Sequence, residues 1–161
     1  MVFAAVLALS GILQTVLVSA RGPLGAAPDF LLAMLAVVAL RGWPVWAFAA
    51  LGLVKDFLSV GPFGAWAFAF TAAGLTGQRL GPRVFQGHAL TQAAAGAILA
   101  LLAAVLYLGF SGEAFRVCGP WKAGRFVAGE TIAAMVLVPI VFRFAGWGLK
   151  RDGGGIRVRE L

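Results

Sequence analysis

The sequence predicts an all-α membrane protein, a compact bundle of six transmembrane helices. Three observations predict it. Hydrophobic residues make up 61% of the 161-residue chain, above the roughly 45–50% of ordinary soluble domains, and mean hydropathy is +0.96. The apolar residues fall into six runs separated by short connections. Lys and Arg gather in those connections and in the C-terminal tail, where they act as topology signals.

The first run spans residues 2–20. It lacks a basic segment at its start, so it reads as a retained span and not as a cleaved signal peptide. A Gly/Pro-rich linker follows and ends at Pro28. The second run, 29–40, is short. Twelve helical residues rise about 18 Å, so the linker reaches into the membrane or the bilayer thins locally; a re-entrant second segment would leave five spans. The third run is 43–60, with Pro44 in its first turn, where a missing N–H costs little. Gly61 and Pro62 make a tight turn into the fourth run, 63–78. The fifth is 89–110. The sixth is 126–147, with a kink expected at Pro139. Residues 1–149 thus form one membrane domain, and 150–161 form a basic tail expected to be mobile.

With the N-terminus inside, the inner ends carry Arg41, Arg79, Arg83, Arg143, Lys150, Arg151, Arg157 and Arg159. The outer ends carry Arg21, Arg116, Lys122 and Arg125. The positive-inside rule favours this orientation, which places both termini in the cytoplasm. The net charge of +7 therefore suits anionic lipid headgroups better than nucleic acid.

Catalytic chemistry has little to stand on. Cys118 and His88 are the sole cysteine and histidine, which excludes an internal disulfide and argues against a metal centre. Ser59, Ser111 and His88 fall on both membrane faces, so they form no nucleophile–base pair. Gly153 to Gly155 lack the Lys-Ser/Thr and helix of a phosphate loop. The expectation is a non-enzyme without cofactors.

Five ionisable residues remain at membrane depth: Asp29, Lys55, Asp56, Arg125 and Glu130. In the six-span arrangement all lie within a few turns of the outer surface. Carboxylates in hydrocarbon are costly unless paired or hydrated, so Asp29, Asp56 and Glu130 are expected to face the bundle interior or a shallow polar pocket. Lys55 or Arg125 supplies the counter-charge, or Lys55 snorkels to the headgroups. Asp29, after Pro28, suits a helix cap. Asp56 suits a structural network or a ligand or proton role. Gly52, one turn before Asp56, lets another helix approach. Ala4 with Ala8, Gly96 with Ala100, and Ala100 with Ala104 have close-packing spacing.

The central stretch carries a further pattern. Pro28-Asp29 precedes a leucine-rich run, Gly52-Leu53-Val54-Lys55-Asp56 follows, and then Gly61-Pro62-Phe63-Gly64, with Gly74 and Gly77 beyond. In order and spacing this resembles the MreD family of bacterial rod shape-determining membrane proteins. Lys55 before the Asp departs from the family pattern. The resemblance implies a fold similar to the six-helix substrate-binding subunits of energy-coupling-factor vitamin transporters. It also implies a scaffold of the cell-elongation, peptidoglycan-synthesising complex in the cytoplasmic membrane. Implied partners are an MreC-like single-span protein, a RodA-type glycosyltransferase with a class B penicillin-binding protein, and MreB filaments. A vitamin-binding transporter subunit is the alternative; Ala4 and Ala8 would suit its coupling helix. Against it, the outer half offers a single Tyr, Tyr107, no Asn and a handful of Trp, where a selective site needs several convergent polar groups.

Overall fold

A computed structural model of the chain describes residues 12, 29–59, 61–84 and 88–149. The predicted span 2–20 (Ile12 apart), the linker with Pro28, and the tail 150–161 lie outside the described residues. Within them the chain is entirely helical: α1 Phe30–Leu40, α2 Val45–Leu58, α3 Ala65–Val84, α4 Ala89–Ser111 and α5 Glu113–Leu149. Two segments, Ala89–Ser111 and Gly119–Arg143, are long and apolar enough to cross a membrane.

Helix α1 is the axle of the bundle. Every residue from Leu31 to Leu40 is buried, and the helix touches each of the other four. A helix apolar on all sides belongs in an interior. That accounts for its shortness: it is sheathed by protein along its length. Its end is set by a Schellman arrangement. Trp43 N–H donates to Val38 O (3.1 Å) and Gly42 N–H to Ala39 O (3.0 Å), while Gly42 adopts φ +70°, a conformation that favours glycine. Pro44 then precedes the first turn of α2 as its N-cap residue, one position before the predicted place.

The buried face of α2 is Ala47, Phe48, Leu51, Gly52, Lys55 and Asp56, a stripe at helical spacing. It packs on α3, where small residues make room: a Cβ at Gly74 would fall 2.4 Å from the Phe48 ring. α4 turns Gly96, Ala100, Ala103 and Ala104 inward, and a Cβ at Gly96 would come within 2.6 Å of Val138 on α5. The small-residue spacing read in α4 thus coincides with a close crossing.

Two boundaries differ from expectation. Helix α3 runs on through Arg79 to Val84, and Gly81 lets it pass close to the end of α1, where a Cβ would fall 2.8 Å from Leu40 O. Helical structure before α5's apolar run starts well ahead of Phe126. The backbone breaks at Gly119 (φ 73°, ψ 160°), as expected before Pro120, and resumes at once through Lys122 and Arg125. Pro139 keeps helical dihedrals.

The outer surface is apolar. Phe57, Leu90, Ile98, Val105, Phe110, Ile132 and Val136 are among many large hydrophobic residues more than half exposed, while Asp29, Lys55, Asp56 and Glu130 are buried.

Candidate functional site

The buried charges assemble at the junction of four helices. Asp29 stands at the start of α1, where its Oδ1 accepts the Leu32 N–H at 3.1 Å; this is the helix cap the sequence suggests. Its Oδ2 forms an ion pair with Lys55 Nζ of α2. Lys55 Nζ lies 4.0 Å from Glu130 Oε1 of α5. The ammonium also sits 3.4 Å from the centroid of the Trp66 ring and 5.5 Å from that of Phe70, both on α3. Trp66 is in turn stacked on Tyr107 of α4, centroids 4.0 Å apart and planes 10° from parallel. The lysine is therefore held by two carboxylates and two aromatic faces, each favourable to a cation in a desolvated setting. It is buried and does not snorkel.

Asp56 points away from its neighbour, as a turn of about 100° per residue allows, and reaches the backbone that opens α3. Its Oδ2 accepts N–H groups of Gly64 (3.0 Å) and Ala67 (3.1 Å), and its Oδ1 that of Trp66 (3.0 Å). These are the orphan donors that open α3, and the helix dipole there favours a negative charge. The turn delivers them: Gly64 has φ +90°. Gly52, one turn back, lies under the same backbone. A Cβ there would fall 2.5 Å from Ala67 Cα and 2.6 Å from Trp66 O, so the expected close approach is against the start of α3. Gly61 faces the Tyr107 hydroxyl, 2.6 Å from where a Cβ would sit.

Arg125 corrects the sequence reading. It is exposed and makes no ion pair with a described residue. It lies five positions before Glu130, so the two point to different sides of α5; among the described residues Lys55 supplies the counter-charge. Trp66, Phe70 and Tyr107 were missed as parts of the site. Nothing in their spacing marks them, because they meet Lys55 only through tertiary packing.

Two polar atoms of the cluster, Glu130 Oε2 and Trp66 Nε1, are buried without a hydrogen-bond partner. Among the described residues no group of three His, Cys, Asp or Glu side chains is placed to hold a metal ion. The arrangement ties α1, α2, α3 and α5 together by charge and cap. No family model, curated protein or solved structure matches the chain.

Proposed function

We propose that the chain is a multi-pass protein of the bacterial cytoplasmic membrane and a non-enzymatic scaffold of the cell-elongation complex, of the MreD type. The observation that carries the membrane part is the inverted distribution of residues. Four ionisable side chains are buried while Phe57, Leu90, Phe110 and Val136 stand more than half exposed, on a scale that marks contact with lipid or another protein. Six spans with both termini in the cytoplasm fit the basic residues and add the run 2–20 to the helices described above.

The scaffold part rests on the order of the central motifs and on the use made of their carboxylates. Asp29 caps α1 and Asp56 caps α3, so the residues of the Pro-Asp and Gly-Leu-x-x-Asp elements are occupied in holding helices in place. A rigid bundle of this kind suits docking of a partner's single membrane helix, which in lipid depends on close packing and interhelical hydrogen bonds. The MreC-like protein is the proposed partner, with the RodA-type synthase pair and MreB in the same assembly.

The test is affinity purification of the full chain from mildly solubilised membranes, with everything bound identified. A single-span partner with a coiled outer domain, or a wall synthase, is expected. Recovery of an ATPase-coupled membrane subunit or a bound vitamin would replace this reading with the transporter one.

A further inference from the structure

Arg125 leads to a second site. Between α4 and α5 lies an open groove of about 760 Å³, within the range of small-molecule sites. Leu101, Val105 and Gly109 form one wall, and Gly124, Ala128 and Ile132 the other. It is apolar, and it is unfilled directly above the backbone: a Cβ at Gly109 or Gly124 would meet no atom within 4 Å. From Leu101 to Gly109 the wall rises about 12 Å, close to the depth of one leaflet of a hydrocarbon core about 30 Å thick.

The rim is charged at one end. Trp121, Arg125, Ala128 and Ile132 follow one another at spacings of three and four, so they share a ridge of α5. The last two line the groove, and the first two continue its edge toward the Gly119 break. Trp121 is 78% exposed, Arg125 is exposed, and the exposed Lys122 lies one turn from Arg125. Trp belongs at the headgroup level, and a guanidinium is suited to grip a phosphate with two N–H groups at once.

We propose that this groove holds an acyl chain of an anionic phospholipid, with the lipid phosphate bound by Arg125. The occupant is a membrane diacyl lipid, since the groove matches one leaflet in length and its basic rim complements a phosphate. The inference goes beyond the scaffold reading and requires only that the chain lie in a bilayer.

The test uses the full chain in nonionic detergent, with phosphatidylglycerol or zwitterionic phosphatidylcholine added and retained lipid read by native mass spectrometry. Phosphatidylglycerol is expected to be retained preferentially. Arg125→Gln, at an exposed position that leaves folding intact, is expected to weaken it about tenfold, the scale of one charge-assisted hydrogen bond, with phosphatidylcholine unchanged. Gly124→Leu puts a side chain into the groove from a position where a Cβ meets no atom within 4 Å, and is expected to abolish retention of both lipids while the elution volume stays that of the parent. Parent-like phosphatidylglycerol retention by either variant would overturn the proposal. So would a photo-crosslinker at Val105 that labels a protein helix in membranes and no lipid. Partner recovery by Gly124→Leu, measured in the same preparation, reports on the scaffold separately.

Discussion

Replacing Asp56 with Ala removes the acceptor for three backbone N–H groups at once. The Trp66 N–H is buried, and those of Gly64 and Ala67 are partly buried. A buried donor left without a partner costs about 1–3 kcal/mol. Taking about 2 kcal/mol for Trp66 and about 1 kcal/mol for each of the others gives a destabilisation of about 4 kcal/mol. That is roughly a thousandfold in the folding equilibrium. The assay is reversible unfolding of the purified chain in nonionic detergent titrated with SDS, followed by tryptophan fluorescence. Asp56→Ala should unfold at a clearly lower SDS fraction. Asp56→Asn keeps one oxygen acceptor and turns an NH₂ toward the remaining donors, so it should fall between Ala and the parent. An Ala variant that unfolds with the parent, or an Asn variant no better than Ala, would refute the capping account of this residue.

Gly52→Ala places a methyl 2.5 Å from backbone, where no side chain can yield, and should lower stability by about 1–3 kcal/mol in the same titration; equal midpoints would count against the close crossing. Gly64→Ala forces a Cβ onto φ +90° and should lose about 1–2 kcal/mol. Lys55→Met leaves two carboxylates buried without their cation, a loss of about 3–5 kcal/mol. Adding Asp29→Asn and Glu130→Gln should recover much of it, and a triple variant as weak as Lys55→Met would show that the ion pairs are not the cause. Gln78→Leu removes the donor to the Trp43 carbonyl at the far end of the bundle and should cost about 1 kcal/mol, read from the same midpoint.

Hydropathy alone exposes α1, α2 and α4 to within a few residues, because their apolar runs end at strong punctuation: Arg41-Gly42, Ser59 and Gly112. It fails where a helix leaves its apolar run. Arg79 and Arg83 read as connection, yet α3 continues through them, with Gly81 passing close to Leu40. Lys122 and Arg125 read as the end of a loop, yet helix resumes at Pro120. The buried charges were legible as a set, since lipid or a core penalises each alike. Asp29 as a cap and Lys55 as a counter-charge were legible too, whereas the Asp56 carboxylate aimed at the next helix's N–H groups and the lysine laid on an indole depend on crossing geometry that no spacing encodes. Arg125 was misassigned for the same reason, its depth being readable and its azimuth around the bundle not.

Helix α1, sheathed on all sides, also constrains the order of synthesis. Asp29 emerges twenty-six positions ahead of Lys55, and Glu130 only with the last helix. A nascent chain that ends with α1 carries the Asp29 carboxylate without Lys55, on a helix of 11 residues. Once α2 follows, Lys55 brings the counter-charge and the two helices form a charge-matched pair. An error in the Asp29–Lys55 match would therefore be exposed before α3, α4 and α5 exist to conceal it.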